Sequence, residues 1–121
     1  MLVLFIDDDP DDYDLFCEAL TSLNIQAECQ HYSDGKEAMT ALETIVPDYI
    51  FLDVNMPIMG GKECLQRIKK DARLIYIPVI VYSTSSHPAE IQAFKDLGAK
   101  DFIIKPGRYS ELVDALRVVL A

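Results

Sequence analysis

The chain has 121 residues, 11 Lys and Arg against 20 Asp and Glu, a formal net charge of -9, and 50% hydrophobic residues. That length and composition suit a single domain able to bury a core without staples, and apolar runs of about five residues fall far short of the ~20 that a membrane helix needs. The acidic balance, with no basic run, argues against direct nucleic-acid binding, and Cys17, Cys29 and Cys64, odd in number and in no C-x-x-C pair, encode neither a disulfide framework nor a zinc site.

In chain order, Leu2-Val3-Leu4-Phe5-Ile6 is continuously apolar, the pattern of a strand covered on both faces, and Asp7-Asp8-Asp9 follows it. Leu15, Phe16, Ala19, Leu20 and Leu23 then form a helical stripe. Residues 26–32 alternate polar and weakly apolar side chains, which predicts an edge strand open to water on one side. Asp34-x-x-Glu37 has the form of a capping box ahead of a helix marked by Ala38, Leu42 and Ile45. A third strand, Tyr49-Ile50-Phe51-Leu52, is closed by Asp53, and Leu65, Ile68 and Ala72 mark the next helix. A fourth apolar run at 78–82 leads into Ser83-Thr84-Ser85-Ser86. Pro88 then sits where the first helical residue belongs, ahead of Ile91, Phe94 and Leu97. Phe102-Ile103-Ile104 is the fifth strand, followed by Lys105, and Leu112, Val113, Leu116, Val119 and Leu120 give the last helix.

Five strands alternating with five helices through short connections predict the α/β doubly wound class, a parallel sheet with helices on both faces. Ligands of such sheets bind beyond the carboxyl ends of the strands, where the strand order reverses. With the order 2-1-3-4-5, the first and third strands are neighbours there, and the acidic triplet converges on Asp53. Two carboxylates ~4 Å apart repel by roughly 4 kcal/mol at an effective dielectric near 20, so the cluster calls for a cation. Hard oxygen ligands without His or Cys favour Mg²⁺. A metal, a carboxylate, a hydroxyl and an ammonium together suit phosphoryl transfer: Asp53 attacks, Ser83 donates a hydrogen bond, and Lys105 neutralises phosphoryl oxygens. A glycine-rich phosphate loop after the first strand is absent, which disfavours a mononucleotide binder.

Four segments carry a family resemblance: Phe5-Ile6-Asp7-Asp8-Asp9-Pro10, Phe51-Leu52-Asp53-Val54-Asn55-Met56-Pro57-Ile58-Met59-Gly60-Gly61, Pro78-Val79-Ile80-Val81-Tyr82-Ser83 and Phe102-Ile103-Ile104-Lys105-Pro106. Together they resemble the signature blocks of response-regulator receiver domains, over about residues 2–120. The resemblance implies a flavodoxin-like receiver fold and a single receiver domain over 1–121, with no output domain in this chain. It also implies that Asp53 accepts a phosphoryl group from a histidine kinase or phosphotransfer protein. Asp8 and Asp53 match the direct Mg²⁺ ligands, Asp7 the one acting through water, and Asn55 the donor of a backbone carbonyl. Ser83 matches the switch hydroxyl, Lys105 the phosphate-pairing lysine and Phe102 the aromatic that changes rotamer. A downstream protein would read the state through residues 87–120, and the Lys105-Pro106 bond is expected to be cis. Thr84 stands where a smaller residue is usual, and Asp9-Pro10 resembles a subgroup of stand-alone receivers.

Simpler roles compete for some of these residues. Asp9, Asp11 and Asp12 read as first-turn helix charges, Phe102 alone as core, and Met56 and Met59 as packing around the loop after Asp53. His31 and His87 have no partner pattern, although His87-Pro88 can open a helix. Two other function classes remain: a Mg²⁺-dependent aspartyl phosphohydrolase, and a pseudo-receiver that binds partners without phosphorylation. The first ordinarily carries D-x-D on its first strand and a cap domain, whereas here the nucleophile ends the third strand and position 55 is Asn. The complete acidic set with Ser83 and Lys105 speaks against the second. A cytoplasmic protein with no membrane contact is the expected setting.

Overall fold

The structure, a computed structural model, describes residues 1–120. Apolar runs and amphipathic segments alternate in it from end to end: β1 (Leu2–Ile6), α1 (Pro10–Ser22), β2 (Glu28–Tyr32), α2 (Gly35–Ala41), β3 (Tyr49–Leu52), α3 (Gly61–Lys70), β4 (Val79–Ser83), α4 (Pro88–Asp96), β5 (Asp101–Ile104) and α5 (Tyr109–Leu120). The strands form one parallel sheet in the order β2-β1-β3-β4-β5, as the sequence predicts.

Successive strand residues point to opposite faces, so each strand feeds two cores. Leu4, Ile6, Ile50, Leu52, Val79 and Val81 pack with Leu42, Leu65, Ile68 and Phe94 on the side of α2, α3 and α4. Val3, Phe5, Phe51, Ile80, Tyr82 and Ile103 pack with Phe16, Leu20, Leu112 and Leu116 on the side of α1 and α5. Phe16 packs between Phe5 and Phe51 with its ring tilted to both, the centroids 4.7 and 4.8 Å away. Full burial of one such side chain stabilises the fold by about 1.5–3 kcal/mol, so the two layers lock the central strands and hold their carboxyl ends in fixed register.

Several boundaries differ from the sequence pattern for local reasons. The second helix ends at Ala41, and Ile45 reaches the core only from the following turn. The third ends at Lys70, because Asp71 is extended and its carboxylate binds the Arg73 amide and guanidinium at 2.9 and 3.0 Å; Ala72 is left exposed. Leu15, part of the predicted stripe on α1, is exposed, whereas Phe16, Ala19 and Leu20 are buried. The strand expected over 26–32 starts at Glu28 and is half-buried, as an edge strand should be. Asp34 caps α2 by accepting the Glu37 amide at 2.8 Å, and α4 starts at Pro88 with His87 at the capping position. No described helix is long and apolar enough to cross a membrane.

Candidate functional site

Ile6 of β1 pairs with Leu52 of β3, and this register sets the next residues, Asp7 and Asp53, side by side beyond the sheet. Backbone bonds continue the ladder one step further: the Asp7 amide donates to Tyr32 O at 3.0 Å and the Asp53 amide to Ile6 O at 2.9 Å. Both carboxylates are buried, whereas Asp8 is exposed at the rim. One carboxylate oxygen from each of Asp7, Asp8 and Asp53 lies within 4.8 Å of the other two. Asp9 turns outward and caps α1, accepting the Asp11 amide at 2.9 Å, and its own amide donates to Asp7 Oδ1 at 2.9 Å. The triplet therefore divides its work: two carboxylates face Asp53 and the third starts a helix.

Lys105 enters from the end of β5. Its ammonium lies 2.7 Å from Asp12 Oδ2, 2.9 Å from Asp7 Oδ2 and 3.7 Å from Asp53 Oδ2, and 5.5 Å from the centre of the buried Tyr82 ring. Burial opposes the charge on Lys105, but the hydrogen bond to Asp12 and the close Asp7 and Asp53 carboxylates outweigh it and raise the pKa above the ordinary lysine value. Burial and then the neighbouring Asp7 charge push Asp53 up to about 6, against the pull of Lys105 and of the Val54 amide, which donates to Asp53 Oδ1 at 2.8 Å. Burial also raises Asp7. Even with one ammonium present, negative charge in the crevice is under-compensated.

That imbalance is the test of whether the residues fit a divalent cation, and they do. Asp7 Oδ2 is buried and, although close to the ammonium, accepts no well-oriented hydrogen bond. All three clustered donors are hard carboxylate oxygens, which suits Mg²⁺ or Mn²⁺ rather than zinc.

The remaining sequence-predicted residues lie at and after the end of β4, on β5 and in the loop after Asp53. Ser83 is buried, with Oγ accepting the Ser85 amide at 3.2 Å, and Thr84 beside it is exposed. Phe102 is half-buried with its ring edge-on to Phe94, centroids 6.1 Å apart, so it belongs partly to the core. Met59 is buried and Met56 half-buried under the loop that carries the exposed Asn55. Two expectations are corrected. The Lys105-Pro106 bond is trans: the Lys105 amide donates to Ser83 O at 2.7 Å, and the side chain reaches the crevice without a reversal of the chain. Asp12 is no simple first-turn charge, because it makes the shortest of the three contacts to Lys105. Its position four residues before the buried Phe16 puts it on the inward stripe of α1, the signal that sequence reasoning passed over. His31, left without a role, donates Nε2–H to the Asp7 carbonyl oxygen at 2.7 Å and stacks on Tyr13 at 4.5 Å, bracing the end of β1.

Residues 3–117 match the family model for the response regulator receiver domain. The chain is 31% identical over 128 residues to the two-component response regulator ORR13 of Oryza sativa subsp. japonica, covering 97% of this chain and 96% of that one. It spans 20% to 50% of the length of seven other curated relatives. Among solved structures it is similar to the phosphorylated cyanobacterial phytochrome response regulator RcpA, with TM-score 0.89 and 33% identity over 98% of this chain and 89% of that one. It is also similar to the Mn(2+)-bound form of response regulator Rcp1, with TM-score 0.88 and 28% identity over 98% and 90% of the two chains.

Proposed function

The chain belongs to the response regulator receiver domains of two-component signalling, and from that premise we propose that it is a phosphorylation switch whose acceptor is Asp53. The observation that carries this reading is the convergence of Asp7, Asp8 and Asp53 at one end of the sheet with Lys105 reaching across them. An Asp53 oxygen attacks phosphorus, the bond from phosphorus to the donor's imidazole nitrogen breaks, and the imidazole leaves with that electron pair and takes up a proton. With a pKa of about 6, Asp53 is mostly ionised at neutral pH and so available as the nucleophile. Asp8, with Asp7 through water and the Asn55 carbonyl, would hold Mg²⁺, which when bound supplies charge neutralisation at the phosphoryl oxygens. A manganese-bound relative supports a divalent cation here. Lys105 pairs with one phosphoryl oxygen, and the Ser83 hydroxyl donates to another.

The donor is a histidine kinase or histidine phosphotransfer protein, and the phosphorylated form is read by a downstream protein through the face built from α4, β5 and α5, in a cytoplasmic setting. Exposed Ile104 and Val118 give that face apolar contact area. The test separates a switch from an enzyme. With Mg²⁺ and excess acetyl phosphate or a simple phosphomonoester, the protein is expected to retain one phosphoryl group per chain and to turn over the phosphomonoester no faster than buffer does. Steady hydrolysis of the phosphomonoester would instead favour an aspartyl phosphohydrolase, and failure to take up either Mg²⁺ or phosphoryl would favour a pseudo-receiver.

A further inference from the structure

The ammonium of Lys105 is shared among three carboxylates, and the nearest belongs to a residue outside the acidic cluster. Asp12 Oδ2 lies 2.7 Å from Nζ and Asp53 Oδ2 3.7 Å from it. Asp12 is the third residue of α1, four before Phe16, whose burial fixes the rotation of the helix and so aims Asp12 inward. Asp11, one residue earlier, is exposed. The Asp12–Lys105 pair is mostly shielded from water, with side-chain exposures of 23% and 13%, and the Tyr82 ring closes one side of the ammonium. Screening by solvent is therefore weak and the contact is held firmly.

We infer that Asp12 is a positioning residue that holds Lys105 back from Asp53 until a phosphoryl group arrives, a role that rests on the phosphoacceptor reading above. A phosphoryl group on Asp53 adds oxygens that accept from the ammonium. To meet them Lys105 must leave or lengthen its contact with Asp12, so part of the attraction between phosphoryl and lysine is spent on that exchange. Asp12 thus sets the affinity of the site for phosphoryl without touching it. Neutralising Asp12 removes the nearest competitor, leaving Asp7 at 2.9 Å, and so eases the ammonium toward the phosphoryl oxygens.

Beryllofluoride, a phosphoryl mimic, tests this in saturating Mg²⁺. Asp12→Asn is expected to tighten its binding by about threefold to tenfold, whereas Asp12→Glu, which keeps the charge, moves it back toward wild type. Asp11→Asn, an equal change in net charge without contact to Lys105, is expected to shift it by less than about twofold. In a Lys105→Met background the advantage of Asp12→Asn over Asp11→Asn is expected to vanish, which a merely structural role of Asp12 would not produce. A structure of the wild-type complex is a second readout, independent of any variant: Lys105 Nζ is expected to lie beyond about 4 Å from Asp12. Unchanged or weaker binding by Asp12→Asn, an advantage that persists without Lys105, or an intact Asp12 contact in the complex would overturn the proposal. Wild-type protein that takes up no beryllofluoride at all would overturn the phosphoacceptor reading itself.

Discussion

Asp53 is held in the state that burial disfavours. Its carboxyl has a pKa of about 6 in the folded protein against 3.8 ordinarily, so the folded chain binds its proton more tightly than the unfolded chain does. The stability this group contributes is therefore full below about pH 4 and is lost as pH rises through about 6. In metal-free buffer, Asp53→Asn, which resembles the protonated form, is expected to raise stability at neutral pH by about 1–3 kcal/mol and to change it little near pH 4. Urea titrations at the two pH values check this; an equal gain at both would place the effect in packing instead of charge. Asp8 and Asp9, adjacent in sequence, are expected to behave differently. Asp8→Ala should weaken Mg²⁺ binding by about tenfold or more, while Asp9→Ala, at the cap of α1, should cost about 1 kcal/mol of stability and little Mg²⁺ affinity. Mg²⁺ titrations of both variants followed by NMR decide, and equal losses of affinity would mean that only diffuse acidity attracts the ion. At this scale the need for a cation was legible in the acidic triplet and Asp53, because like charges at converging strand ends demand one. The pairing of Asp12 with Lys105 was not, since an acidic residue in a first turn is ordinary and its partner lies 93 residues away in sequence.

The elements bring these side chains together through close backbone approaches. Gly61, the first residue of α3, donates its amide to Val54 O at 2.9 Å, and a Cβ there would lie 2.3 Å from the carbonyl oxygen of Asp53 and 3.0 Å from the Val54 Cα. Both obstacles are backbone, so neither can swing aside. Gly61→Ala is expected to cost about 2 kcal/mol or more and to slow phosphorylation by displacing the loop after Asp53; denaturant midpoints and labelling rates measure the two effects, and a stable, normally labelled variant would contradict the geometry. The strands were readable from their apolar runs to within a residue or two, because burial on both faces leaves a signal in every residue. Helix ends were less so: the stop after α3 depends on Asp71 binding Arg73, and the early end of α2 lets Ile45 pack from a turn, neither of which a 3.6-residue stripe encodes.

Across the whole molecule, the parallel order β2-β1-β3-β4-β5 puts Asp53, the proposed phosphoacceptor, just beyond the end of the central strand β3 and the proposed readout face at one edge. Ser83 and Ile104 are register partners on β4 and β5, and Phe102 lies two residues before Ile104 with its ring against Phe94 of α4. In the proposed switch, a hydroxyl drawn toward a new phosphoryl oxygen would free space behind β4 for the half-buried Phe102 and so couple the crevice to the face. Ser83→Ala is expected to accept phosphoryl on Asp53 yet show much smaller amide shift changes across residues 87–96, 100–104 and 109–120 than wild type. Shift changes of wild-type size in that variant would contradict the coupling. The parallel α/β class followed from alternation and the strand order from the receiver-fold reading, whereas the trans Lys105-Pro106 bond runs against the family expectation.

The central claim, that Asp53 is the phosphoacceptor, is tested most directly by brief treatment with acetyl phosphate and Mg²⁺ followed by mapping of the labelled residue. One phosphoryl group on Asp53, absent from Asp53→Asn, is the predicted result. Label on another residue of the wild-type chain, or label that persists in Asp53→Asn, would contradict it.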